Sequence, residues 1–238
     1  MSHVALITGV GPGLGGALAR RFSREGYCVG LLARTTEFTS ELAQELAGGG
    51  RRALPLMADV GEPAEVAEAV RLLRMEFGPI SVMIHNASSS LGDGLLKTTP
   101  EEFEQSWRVA ALGGFVCAKE TAPDMLAAGA GVMLFTGATS SVRGGGWLAF
   151  SSAKFAMRGL AQSLARELWP LGIHVAHVVV DGSIATPGLP AEILDDAPAV
   201  PILNPGSMAD AYWNLARQEK SAWTLEIDLR PHDEQFFV

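Results

Sequence analysis

The chain has 238 residues, of which 48% are apolar, 7% aromatic and 18% charged, with a formal net charge of −8. Its apolar content is far above, and its charge density below, that of a disordered chain, and no run approaches the roughly 18 uninterrupted apolar residues of a membrane span. An acidic balance without a basic run leaves no electrostatic footprint for nucleic acid or an anionic lipid surface, so neither is expected as a partner.

The first strand is expected at His3 to Thr8, and it runs into the glycine-rich stretch GVGPGLGG. A helix follows, with an apolar stripe of Leu14, Ala17, Leu18 and Phe22. The uncharged stretch from Val4 to Ala19 contains five glycines and no Lys or Arg precedes it. It therefore reads as folded structure and not as a signal peptide, in a protein expected to be cytoplasmic. Further strands are expected at Cys28 to Ala33, Arg52 to Met57, Ile80 to His85, Gly131 to Thr136, Ile173 to Val180 and Ala222 to Leu229. They lack in/out alternation, as strands buried on both faces should.

Between the third and fourth strands, Val66, Ala69, Val70, Leu73 and Phe77 form a second helical stripe. One long helix is expected from Pro100 to Ala128, with Thr99 as N-cap, Pro100 at its first position and acids in its first turn. Met157, Leu160, Ala161, Leu164 and Leu168 form a third stripe. From Pro187 to Pro205 the chain turns proline-rich without periodicity, too long for an ordinary connection, and a lid is expected at 187–205. Asn204 and Pro205 look like the start of a last helix. Alternating strands and helices define an α/β chain, doubly wound around a mostly parallel seven-stranded sheet with helices on both faces. Residues 1–238 read as one domain.

The glycines crowd the turn that faces the first helix N-terminus, where backbone N–H groups and the helix dipole favour a pyrophosphate. Two registers fit: Gly11, Gly13 and Gly16 match G-x-G-x-x-G, whereas Thr8, Gly9, Gly13 and Gly15 match T-G-x-x-x-G-x-G, with Leu14 opening the helix. An acid at the end of the second strand would select NAD through the ribose 2′-hydroxyl; the chain has Ala33 there, followed by Arg34. A guanidinium matches a 2′-phosphate in charge and geometry, so NADP(H) is favoured over NAD(H). Cys28 and Cys117 sit in apolar segments as buried free thiols do. His174 and His177 lack ligand-type neighbours at metal spacing and are taken as structural, with no metal expected. Trp107, Trp147, Trp169, Trp213 and Trp223 read as core or interface residues.

The second glycine register, with further matches along the chain, resembles the short-chain dehydrogenase/reductase family, whose members have a single Rossmann-fold dinucleotide-binding domain of about this length. The resemblance implies that Asp59 and Val60 contact the adenine ring. It places Asn86 and Ala87 in the family's N-N-A-G turn, here His85-Asn86-Ala87-Ser88. Thr186, after Asp181-Gly182, falls in the P-G-x-x-x-T segment that meets the nicotinamide carboxamide; Asp replaces Pro, and the run from Ile173 to Gly182 is one residue longer than usual.

The catalytic half departs from the family. Its Y-x-x-x-K pair is here Phe150 and Lys154, with the phenol missing. The family's serine falls on Gly137 or Ala138, depending on the anchor, and its asparagine on Ala110. Lys154 alone of the four is kept. Thr136, Thr139, Ser140 and Ser141 stand near the serine position and read as strand-end and turn residues. Asp181 is a turn former or, less simply, a proton donor near the nicotinamide. Two functions remain: an NAD(P)-dependent oxidoreductase acting on an alcohol or carbonyl of small to medium size, or an inactive NADP(H)-binding sensor or structural partner. The resemblance also implies a homodimer or homotetramer.

Overall fold

The computed structural model describes residues 3–186 and 202–233, so the expected lid at 187–205 lies outside the described residues except for its last four. Seven parallel strands form one sheet: β1 (Val4–Thr8), β2 (Cys28–Ala33), β3 (Ala53–Met57), β4 (Ile80–His85), β5 (Gly131–Thr136), β6 (Ile173–Val180) and β9 (Glu226–Leu229). Their order is β3-β2-β1-β4-β5-β6-β9. All seven match expected strands, six to the residue or within one at an end; the last is four residues shorter than expected. Lys220–Ala222 forms a short turn instead, and Gln218 clamps Thr224 through Nε2 to Oγ1 (2.8 Å) and Thr224 N to Oε1 (2.9 Å). Those bonds hold the stretch against the preceding helix end and away from the sheet.

Helices cover both faces. On one side α1 (Leu14–Arg24), α2 (Glu37–Gly48) and α7 (Pro205–Ala216) bury Leu18, Phe22, Leu42, Leu46 and Tyr212 against β1, β2 and β6. On the other, α3 (Pro63–Phe77), α5 (Gly113–Ala128) and α6 (Leu148–Leu168) bury Val70, Leu73, Cys117, Met125 and Met157. Both cysteines are buried and free, and burial pushes the Cys117 thiol up to about 12. The sheet is covered twice, so β1 and β6 are buried along their whole length.

The expected helix from Pro100 to Ala128 is in fact three pieces. A capping box starts α4 (Pro100–Trp107): Thr99 Oγ1 accepts from Glu102 N (3.2 Å), and Glu102 Oε2 accepts from Thr99 N (2.9 Å). A π-turn over Arg108–Leu112 then separates α4 from α5. The carbonyl of Val109 within it takes a hydrogen bond from the buried His85 ring (3.2 Å), which a straight α-helix would leave unmade. Two elements absent from the sequence reading are α2 and a small parallel pair, β7 (Ser183–Ile184) with β8 (Ile202–Leu203).

Chain direction around the sheet reverses between β1 and β4, and open α/β sheets bind ligands at the carboxyl ends of strands at such a point. Register places Thr8 opposite both Leu32 and His85, bringing the glycine turn beside the end of β4.

Candidate active site

Two clefts open at that edge. The larger, of about 840 Å³, is bordered by Gly13, Leu14, Asn86, Phe150, Lys154 and Thr186, with Trp147 at its rim. The smaller, of about 270 Å³, lies between Ala33, Arg34, Asp59, Val60 and Ala87. They share Gly9, Gly11 and Ser88. The structure thus gathers every candidate around one continuous edge, with Thr8 just beneath it.

The glycine turn is shaped by close approach. Gly9 has φ +67°, and a Cβ there would lie 2.6 Å from the Ala87 backbone. A Cβ on Gly15 would meet Gly9 O at 2.4 Å, and one on Gly13 would meet Thr186 Cγ2 at 2.8 Å. Gly11 instead has nothing within 4 Å, so its bare Cα faces the open cleft. Gly13 is the N-cap of α1 and supplies no side-chain cap, which leaves first-turn N–H groups available to a ligand. Gly9, Gly13 and Gly15 are the tight positions of the register that begins at Thr8, although Gly16 is tight as well, 2.8 Å from Gly11 O.

Thr8 ties the turn to β4. Its Oγ1 accepts from Asn86 N (3.3 Å) and Ala87 N (3.4 Å) and lies 3.1 Å from His85 Nδ1. With its lone pairs used, the hydroxyl donates to Nδ1, so His85 is the neutral tautomer carrying its proton on Nε2. Burial, helped by the Lys154 charge, pushes His85 down to about 4. Asn86 Nδ2 donates to Gly9 O (3.0 Å) and holds the turn from the other side. Asp59 Oδ1 accepts from Gly61 N (2.8 Å), which orients its carboxylate at the smaller cleft. Arg34 is exposed there and forms no ion pair with the described residues.

Lys154 is 2% exposed and donates from Nζ to Thr136 O (2.8 Å). Its ammonium stands 5.5 Å from the centre of the Phe150 ring, one helical turn back on α6. Burial pushes its pKa down to about 8. At the serine position, Gly137 has no room for a side chain: a Cβ would lie 2.3 Å from His177 Nε2 and 2.9 Å from Ser141 Oγ. His177 is held from behind by Glu226 Oε2, 2.8 Å from its Nδ1, and Glu226 is bidentate to Arg158 at 2.7 Å. Ala138 is half-buried and borders the cleft, and Ala110 is buried in the π-turn.

Two cleft residues went unassigned in the sequence. Trp147 is 57% exposed and borders the large cleft, outside the core. It caps the start of α6, three residues before Phe150, and that spacing was the available signal. Thr139 borders the cleft and donates to Asp181, which is paired with Arg230. Asp181 is therefore more than a turn former: its carboxylate is engaged by both Thr139 and Arg230. His174 stacks on Trp223 at 4.9 Å and contacts Trp169, the structural role expected of it.

The fold, the glycine turn at the switch point and the Lys on α6 define a nucleotide-binding oxidoreductase of Rossmann type. Residues 3–193 match the family model for short chain dehydrogenase, and the chain belongs to that family. It is 33% identical over 190 residues to a short-chain dehydrogenase/reductase of Armillaria gallica, covering 78% of this chain and 72% of the relative. The crystal structure of a short-chain dehydrogenase from Rhodopseudomonas palustris superposes with TM-score 0.83 at 37% identity, covering 97% of this chain and 99% of the other. An alcohol dehydrogenase from the archaeon Thermococcus sibiricus, complexed with 5-hydroxy-NADP, gives TM-score 0.87 at 26% identity over 99% of each chain.

Proposed function

We propose that this protein binds NADP(H) in preference to NAD(H) and interconverts a small alcohol and its carbonyl. The observation that carries this reading is the single edge along which Arg34, the glycine turn, the free α1 N-terminus and Lys154 follow one another. When bound, the nicotinamide exchanges hydride with the substrate. The chain's own groups do the rest. Gly9, Gly13, Leu14 and Gly15 offer backbone and helix dipole to the pyrophosphate. Asp59, Val60 and Ala87 border the adenine side, and Arg34 takes the 2′-phosphate. Thr8 and Asn86 hold the turn in place, Lys154 holds the nicotinamide ribose, and Thr186 stands at the carboxamide. Phe150 closes the cleft to water and donates no proton. The 5-hydroxy-NADP complex of the archaeal relative supports the choice of cofactor.

A second reading, an inactive NADP(H) sensor or structural partner, is favoured by Phe150, Gly137, Ala138 and Ala110, which leave the family's catalytic hydroxyls and amide unreplaced at their own positions. Titration with NADPH and NADH tests the shared part. NADPH is expected to bind about tenfold more tightly, and Arg34→Ala to remove the difference. Equal affinities in the wild type would sink the assignment. Turnover in a panel of alcohols and carbonyls, followed at the nicotinamide absorbance, then separates enzyme from sensor.

No helix of the described residues is long and apolar enough to cross a membrane. A cytoplasmic location, a lid at 187–205 over the cleft and a homodimer or homotetramer complete the proposal. The partly exposed Phe115, Leu126 and Phe155 on α5 and α6 support self-association.

A further inference from the structure

One polar chain at the cleft has no part in holding the cofactor. Thr139 opens the turn after β5 and Asp181 follows β6; both border the large cleft. The Thr139 hydroxyl donates to Asp181 Oδ1. The other carboxylate oxygen, Oδ2, lies 3.0 Å from Arg230 Nη2, just beyond β9. Asp181 N donates to Leu229 O (2.9 Å), which ties the carboxylate to that strand end, and Asp181 is 8% exposed.

The far end of the chain sets its polarity. A carboxylate engaged by a guanidinium offers its free oxygen as an acceptor, and the Thr139 hydroxyl is the donor to it. A hydroxyl whose proton is directed at Asp181 presents only lone pairs elsewhere. A ligand meeting Thr139 Oγ1 from the cleft must therefore bring a donor, an alcohol O–H and not a carbonyl oxygen.

We propose that Thr139 Oγ1, backed by Asp181 and Arg230, accepts the substrate hydroxyl, so that the cleft takes its substrate as the alcohol. The proposal rests on the oxidoreductase reading and names the direction and proton route it leaves open. In the oxidation the carbinol C–H bond breaks and hydride passes to oxidised nicotinamide. The substrate O–H proton passes to Thr139 Oγ1 while the hydroxyl's own proton moves to Asp181 Oδ1. The C=O bond forms, and the products are an aldehyde or ketone, reduced nicotinamide and a protonated Asp181, which returns its proton to solvent.

The test uses the full chain saturated with NADP⁺ and two probes followed by fluorine NMR: 2,2,2-trifluoroethanol and its methyl ether, which lacks the O–H. The affinity ratio in Thr139→Val supplies the steric baseline between them. Wild type is expected to favour the alcohol about three- to tenfold beyond that baseline, the worth of one hydrogen bond. Thr139→Ser restores the preference, a result that loss of packing would not produce. In Asp181→Asn, Arg230 draws the amide oxygen and turns the NH₂ toward Thr139, whose proton then faces the cleft. The preference is expected to fall to the baseline or reverse toward the ether. A wild-type ratio equal to that of Thr139→Val, binding of neither probe, or an unchanged ratio in Asp181→Asn overturns the proposal. If NADPH titrates and carbonyls are reduced while the ratio is flat, the Thr139 relay falls and the oxidoreductase reading stands. If NADP(H) does not bind, both fall.

Discussion

At the scale of single residues, Gly137, one of the two positions on which the family's serine falls, is closed by packing. The Cβ that Gly137 lacks would collide with His177, which cannot retreat because Glu226 and Arg158 hold it. Gly137→Ser is therefore expected to lower the melting temperature and leave carbonyl reduction no faster. Ala138→Ser with Phe150→Tyr places a hydroxyl and a phenol at two positions that border the cleft. Since a positioned general acid contributes about 10² to 10⁴ fold, this pair should raise NADPH-dependent carbonyl reduction about 10²-fold or more, with little change in NADPH affinity. An unchanged or lower rate would show that the chain uses another proton route. Lys154 carries a second expectation. Its pKa falls from 10.5 in a free side chain to about 8 in the fold through burial. Between those values the unfolded chain holds a proton that the folded chain lacks, so stability rises with pH across that window, and below about pH 8 the cost of the buried charge is full. Lys154→Met should therefore melt higher than wild type at pH 7, with the gain fading toward pH 10. A gain that is constant with pH would contradict this account.

At the scale of elements, the start of α4 was legible because its signals are local. Thr99, Pro100, Glu101 and Glu102 are contiguous, and the capping box they form needs no tertiary partner. Thr99→Ala is expected to cost about 1 kcal/mol, lowering the melting temperature by about 2–4 °C, as calorimetry would show. The π-turn that follows was not legible, because its reason lies on β4, where His85 reaches Val109 O. A strand residue 24 positions away leaves no periodicity in Arg108–Leu112. The missed α2 buries Thr39, Leu42 and Leu46, a narrow stripe within a segment that is half polar. Much of its assignment therefore comes from packing against the sheet.

At the scale of the whole molecule, α5 and α6 bury one face on the sheet and leave Phe115, Leu126 and Phe155 partly exposed on the other. A groove of about 330 Å³ runs between them, bordered by Ala122 and Leu164. Closed oligomers bury such self-complementary apolar faces, so light scattering is expected to give twice or four times the chain mass of 25.1 kDa. A monomeric mass at micromolar concentration would refute the assembly. Phe155→Glu, outside the cleft, should then shift the wild-type oligomer toward monomer without altering NADPH affinity.

The sequence by itself determined the class of this fold and named the residues that the fold gathers along the cleft edge. A parallel sheet covered on both faces follows from alternating βα units, the glycine turn and Arg34 belong to short local patterns with their own physical reason, and Asp59, Asn86 and Lys154 followed from the family resemblance. What residues stand at the family's catalytic positions was equally legible. Why they stand there was decided by tertiary structure. Gly137 is small because His177 lies 40 residues away in sequence and directly behind it in the sheet. Thr139, Asp181 and Arg230 come from the ends of β5, β6 and β9, and no sequence spacing records that they form one hydrogen-bonded chain. The polarity of that chain, and with it the kind of group the cleft can receive, exists only once three strands have been laid side by side.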